Sequence, residues 1–165
     1  MGNRVVILTG EVQTGKSKAL HNWILKQQLD GKIIHGIVNP YITDQKWFIN
    51  TEDNIKFRMN AEHNETNPIV VGNYKFSQKS FNKAQDILAQ SLQIASNYLI
   101  IDEIGKLELK GDGLEPIVSE VLNNWKRKKT FTLVIVVRSS LVKQVIERYS
   151  LPNPFIIQKE QLDEI

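Results

Sequence analysis

The sequence predicts an α/β fold, a mostly parallel sheet with helices on both faces and a β-hairpin inserted at one edge. Three observations carry that expectation. Short apolar runs alternate with stretches of helical periodicity, the pattern of strand–helix–strand units joined by right-handed crossovers. The run at 130–137, TFTLVIVV, is apolar without alternation, as a strand buried on both faces requires. Between 46 and 59 the rhythm changes. Lys46-Trp47-Phe48-Ile49-Asn50 and Asn54-Ile55-Lys56-Phe57-Arg58-Met59 each alternate, and polar Thr51-Glu52-Asp53 between them makes the turn.

In order, residues 5–9 (VVILT) read as the first strand. Residues 18–29 read as a helix with Leu20, Trp23, Ile24 and Leu29 on its apolar face, stopped by Asp30-Gly31. Residues 33–38 are a second buried strand, broken by Asn39-Pro40. After the hairpin, 61–68 reads as a polar loop, 69–71 as a short strand and 74–78 as a linker. A helix over 81–95 follows, capped by Ser77 or Ser80, with Leu88, Leu92 and Ala95 inward. The remainder alternates: a strand at 98–101, a helix at 113–128 burying Ile117, Val118, Val121, Leu122 and Trp125, a strand at 130–137, a helix at 141–149 and a short strand at 154–157. The tail from 158 to 165 is expected to be peripheral.

The 165 residues are one domain's worth, and a single domain over 1–165 is expected. No apolar run reaches bilayer length, so no membrane partner is expected. The absence of cysteine excludes disulfides and thiolate metal sites. It also fits a reducing compartment, and the cytoplasm is the expected location. The net charge of +3 is mild. The densest basic run, Lys126-Arg127-Lys128-Lys129, falls at an expected helix C-terminus, where it complements the helix dipole. No aromatic residues interleave it, so a nucleic-acid partner is not expected.

Two stretches carry chemistry. Gly10-Glu11-Val12-Gln13-Thr14-Gly15-Lys16-Ser17 fits G-x-x-x-x-G-K-[ST] at every fixed position, after a strand and opening a helix. Phosphate oxygens carry dense negative charge, which backbone N–H groups at a helix N-terminus complement. In such a loop Lys16 reaches the β- and γ-phosphates and the Ser17 hydroxyl ligates Mg²⁺. The second stretch is Tyr98-Leu99-Ile100-Ile101-Asp102-Glu103, which sets two acids at the carboxyl end of a buried strand. Ligands bind at that end of open α/β sheets. Phosphoryl transfer needs positioning and charge neutralisation, so Ser17 and Asp102 are the expected metal ligands. Glu103 is placed to polarise a water for in-line attack. Arg138, directly after the 130–137 run, and Lys106 are the candidates for an additional cation. His21, His35 and His63 have no ligand spacing.

Taken together, GEVQTGKS, GIVNPYITD with the KWFI…IKFRM hairpin, VGNYKF, IDEIGKLELKGDGLEP and VIVVRSSL resemble the cancer-related nucleoside-triphosphatase family, with its thermophilic and bacterial relatives. The resemblance covers residues 5–149, and its most specific part is the extended Walker B segment at 101–109. It implies a P-loop NTPase three-layer sandwich with a catalytic Glu beside the Walker B Asp. It also implies slow hydrolysis of ATP or GTP to diphosphate and phosphate, with Mg²⁺ and broad nucleotide tolerance. Nucleotide contacts are implied for Gly10, Glu11, Val12, Gln13, Thr14, Gly15, Lys16 and Ser17, and for Ile100, Ile101, Asp102, Glu103, Ile104, Gly105 and Lys106. The loop departs from the family's common G-x-x-G-x-G-K, since Gln13 and Thr14 stand where further glycine is usual.

The leading functional expectation is therefore a Mg²⁺-dependent nucleoside-triphosphatase, with Lys16, Glu103 and Arg138 catalytic and Ser17 and Asp102 on the metal. A nucleotide or polynucleotide kinase is the first alternative, its acid pair orienting an acceptor hydroxyl. Against it, 138–150 offers only Arg138 and Arg148 for an arginine-rich lid. The second alternative is a nucleotide-binding switch that hydrolyses only with a protein partner, docked through the 46–59 hairpin. A monomer is expected.

Overall fold

The computed structural model describes residues 3–165. In chain order the elements are β1 (Val5–Gly10), α1 (Lys16–Leu29), β2 (Ile34–Val38), β3 (Tyr41–Ile42), β4 (Gln45–Asn50), β5 (Lys56–Arg58), β6 (Ile69–Val71) and β7 (Tyr74–Phe76). They continue as α2 (Gln78–Ser91), β8 (Tyr98–Asp102), α3 (Lys106–Leu109), α4 (Ile117–Lys128), β9 (Thr132–Arg138), α5 (Val142–Tyr149) and β10 (Phe155–Ile157), with 3₁₀ turns at Ser139–Leu141 and Lys159–Glu164.

The main sheet runs β10-β1-β9-β8-β2-β4-β3, and β5 pairs with β4. From β10 to β2 every pairing is parallel; β4 then adds to β2 antiparallel. The alternating segments at 46–59 thus form the expected hairpin, laid on one sheet edge. The parallel strands are buried on both faces, which explains their unbroken apolar runs. One face packs Phe81 and Leu88 of α2, Val118 and Leu122 of α4 and Val145 of α5. The other packs Leu20, Trp23 and Ile24 of α1 and Leu162 of the C-terminal turn. Gly36 lets β2 lie close against β8. Its φ is +122°, and a Cβ there would sit 2.1 Å from the Ile100 carbonyl oxygen.

Several local expectations give way to packing. Residues 74–76 are not linker: β7 pairs with β6 across a two-residue Gly72-Asn73 turn, where Gly72 takes a positive φ. The helix expected at 81–95 begins at Gln78, because the Ser77 hydroxyl accepts the Ser80 N–H at 3.1 Å and caps it. It ends at Ser91, so Leu92 is only partly buried and Ala95 is exposed. Leu29 is 89% exposed, because the inward stripe of α1 runs through Leu20, Trp23 and Ile24 and a five-residue step from Ile24 leaves that face. The helix expected from 113 starts at Ile117, since α3 takes up 106–109 and Pro116 occupies the N-cap. The tail is not peripheral. Leu162 is buried against α1, and the Arg4 guanidinium donates to the Glu164 carbonyl at 3.0 Å.

Candidate active site

Strand register sets the frame. In β1 and β9, Gly10 pairs with Arg138; in β9 and β8, Val136 pairs with Asp102. The carboxyl ends of three adjacent strands therefore present the start of the phosphate loop, Arg138 and the acid pair along one rim. This is where an open α/β sheet receives ligands.

The loop at 11–15 is exposed, while Lys16 behind it is buried. Gly15 sits at φ +80°, a left-handed turn that lets the chain swing directly into α1. Contacts of Glu11 hold the loop. The Thr14 hydroxyl donates to the Glu11 carbonyl at 2.9 Å, the Lys16 ammonium donates to the same carbonyl, and the Ser139 hydroxyl donates to the Glu11 carboxylate at 2.8 Å. Burial pushes the Lys16 amine below its ordinary range, opposed by the charges of Glu103 and Asp102. Those two charges act on Lys16 because the acid pair faces it across the rim.

Asp102 is 1% exposed. Burial, with the neighbouring Glu103 charge, raises its carboxyl to about 6, against the Ser17 hydroxyl, the Asn39 amide and the Lys46 charge. The Asn39 N–H donates to Asp102 Oδ2 at 2.9 Å. A buried carboxylate beside a serine hydroxyl is an all-oxygen donor set. That fits Mg²⁺, which takes few protein ligands and completes its octahedron with phosphates and waters.

Glu103 lies just beyond β8, and its surroundings explain the IDEIGKLEL pattern. Ile104 is fully buried and its N–H donates to the Val136 carbonyl at 3.0 Å. The buried Glu108 carboxylate accepts the Gly105 N–H at 2.8 Å and the Leu114 N–H at 3.0 Å, stapling the turn that follows the acids. Burial raises the Glu108 carboxyl, and those two amides restrain the rise. Burial pushes Glu103 upward as well, but Lys46, Arg138 and Lys16 outweigh it and hold its carboxyl below the usual range. The Lys46 ammonium is 2.9 Å from Glu103 Oε1, and Arg138 Nη2 is 3.7 Å from the same oxygen.

The structure thus brings Lys16, Ser17, Asp102, Glu103 and Arg138 together. Lys106 opens α3 and lines a cleft of about 590 Å³ with Ile69, Gln78, Lys110 and Asp112, instead of pairing with Glu103. Sequence reasoning missed Lys46, Asn39, Ser139 and Lys159. Asn39 stood only as half of a strand-breaking dipeptide. Lys46 stood only as the first residue of a hairpin strand, and no local pattern ties it to Glu103, 57 positions away. Lys159 arrives from the tail and donates to the Thr14 carbonyl. His21 contacts the Asn54 side chain at 3.1 Å, and His35 contacts the Ser96 hydroxyl at 2.8 Å. Among the described residues no cluster of three or more His, Cys, Asp or Glu is placed to hold a metal.

Two solved structures share this architecture. The crystal structure of THEP1 from the hyperthermophile Aquifex aeolicus superposes with a TM-score of 0.74 at 22% identity, covering 97% of this chain and 95% of that one. The solution structure of a human cancer-related nucleoside triphosphatase gives 0.68 at 17% identity, covering 98% and 94%. At these identities the likeness speaks for the fold. No curated protein matches the chain. A family model described as NTPase (NTPase_1) matches residues 5–164, nearly the whole chain. With the phosphate loop, the acid pair and the interposed strand all in place, this chain is a P-loop protein that belongs to the NTPase family.

Proposed function

We propose that this protein hydrolyses nucleoside 5′-triphosphates, ATP or GTP, to diphosphate and phosphate in a Mg²⁺-dependent reaction. One observation supports this above the others: Glu103 is held by two cations at the mouth of the phosphate loop, with Asp102 facing Ser17 beside it. The loop amides and Lys16 bind the β- and γ-phosphates, Lys16 leaving the Glu11 carbonyl to do so. Ser17 and Asp102 would hold Mg²⁺, which would supply neutralisation of the charge developing on the phosphate oxygens. Glu103 orients a water in line with the γ-phosphorus and takes its proton at the carboxylate. Arg138, 3.7 Å from Glu103 and in register with Gly10, supplies positive charge near the γ-phosphate from within the chain. An internal cation at this place favours hydrolysis without a partner.

Phosphate release from ATP, GTP, CTP and UTP, with and without Mg²⁺, tests the proposal against the Lys16→Ala protein as blank. Mg²⁺-dependent release from ATP or GTP, absent in the blank, is the expected result. Release only after cell extract is added indicates a switch, and a phosphorylated acceptor without free phosphate indicates a kinase.

The C-terminal turn contributes to the same site. Lys159 sits over Thr14, and its ammonium lies 3.9 Å from where a Gly15 Cβ would be, beside the amides that cradle phosphate. A partly exposed cation of this kind is worth about 0.5–1 kcal/mol, so Lys159→Ala is expected to raise the nucleotide KM roughly 2–5-fold with kcat unchanged. Steady-state kinetics on the two proteins decide it.

A further inference from the structure

We propose that Lys46 is a positioning residue for Glu103, reaching the site from the inserted hairpin and fixing which carboxylate oxygen faces the attacking water. The inference rests on the hydrolase reading above. Lys46 is the second residue of β4, and its backbone is held in place independently of its side chain. The Met59 N–H donates to its carbonyl and the Trp47 N–H donates to the Pro40 carbonyl, each at 3.0 Å. The hairpin therefore does not need an ammonium group to close. Yet the Lys46 side chain is only 13% exposed and ends in polar contacts on two neighbours: Glu103 Oε1 at 2.9 Å and Asn39 Oδ1 at 3.3 Å. Burying an ammonium costs free energy unless its partners are fixed, so an apolar residue would serve a purely structural hairpin better.

The partners are fixed. Asn39 is buried, its side-chain amide donates to the Trp47 carbonyl at 2.9 Å, and its backbone N–H donates to Asp102 Oδ2 at 2.9 Å. Asn39 thus ties the orientation of Asp102 to that of Lys46, and Lys46 passes it to Glu103. Arg138 Nη2 lies 3.7 Å from the same Glu103 oxygen. Both cations converge on Oε1, whereas Oε2 accepts no hydrogen bond among the described residues. One oxygen is anchored and the other is left to receive a proton. The edge hairpin is in this view part of the catalytic apparatus, and not only a cover for β2.

The test is a double-mutant cycle on Mg²⁺–ATP hydrolysis with Lys46→Met, Glu103→Gln and the double variant, nucleotide affinity being read by fluorescent-nucleotide titration. Methionine keeps the aliphatic stem. Lys46→Met is expected to lower kcat about 10–100-fold and to shift nucleotide affinity less than about 3-fold, the split expected when an interaction is made only in the transition state. In the Glu103→Gln background the same change is expected to alter residual turnover less than about 3-fold, because Lys46 acts through Glu103. Lys46→Arg is expected to restore part of the activity. An equal loss in both backgrounds overturns the proposal, since Lys46 then acts on the phosphates directly. Unchanged or faster turnover overturns it too. So does a loss of activity in which thermal stability and nucleotide affinity fall together and Lys46→Arg does not rescue. Wild-type protein that releases no phosphate above the Lys16→Ala blank sinks the hydrolase reading and this role with it. Wild-type turnover that Lys46→Met leaves intact sinks this role alone.

Discussion

Glu103→Gln is expected to lower kcat by about 10²-fold or more, with nucleotide bound as tightly as before or more tightly. Glutamine keeps the shape, and its side-chain oxygen still accepts from Lys46 and faces Arg138, so the turn stapled by Ile104 and Glu108 has no reason to move. What disappears is the ability to take a proton from water. What also disappears is a negative charge close to where the γ-phosphate would lie, which is why affinity should not fall. Single-turnover phosphate release with nucleotide titration separates the two quantities. Turnover within a few-fold of wild type removes Glu103 from the role of base.

Asp102→Asn is expected to abolish Mg²⁺-dependent turnover and at the same time to stabilise the free protein at neutral pH. The folded Asp102 carboxyl lies at about 6, above its ordinary value of 3.8. Between those values the folded chain binds more protons than the unfolded one, so this group's contribution falls as pH rises from about 4 through about 6, then levels. Above that window the buried charge costs on the order of 1–3 kcal/mol, which asparagine does not incur. Asn can still accept the Asn39 N–H and face Ser17. In EDTA the variant should therefore melt several degrees above wild type at pH 7, and the gap should narrow towards pH 4. Glu108, whose carboxyl is also raised, is present in both proteins and cancels in the difference. Removing one of the two proposed protein ligands forfeits several kcal/mol of charge stabilisation, or about 10²-fold or more in rate. A variant less stable than wild type at pH 7, or a gap that ignores pH, contradicts the account of Asp102 as a carboxylate raised by burial and by the Glu103 charge.

Much was decided by sequence alone. The phosphate loop is local: glycine geometry, a lysine and a serine within eight consecutive residues define it whatever surrounds them. The acid pair is also local, since an apolar run ending in Asp-Glu can be read as a buried strand reaching the ligand-binding end of a sheet. The hairpin was legible by its period of two, and the inward stripe of α4 by its period of 3.6.

Only tertiary structure decided which residues meet. Parallel pairing of β1, β9 and β8 sets Arg138 beside Gly10 and above Asp102, a register that no single stretch encodes. The attachment of β4 to the edge of β2 carries Lys46 to Glu103, and the parallel pairing of β2 with β8 carries Asn39 to Asp102. The packing of Leu162 on α1 brings Lys159 over the loop. Periodicity and turn chemistry depend on neighbours a few residues apart, and so are written in sequence. Ion pairs across a sheet rim depend on strand order and register, which the chain settles only when its whole core is buried.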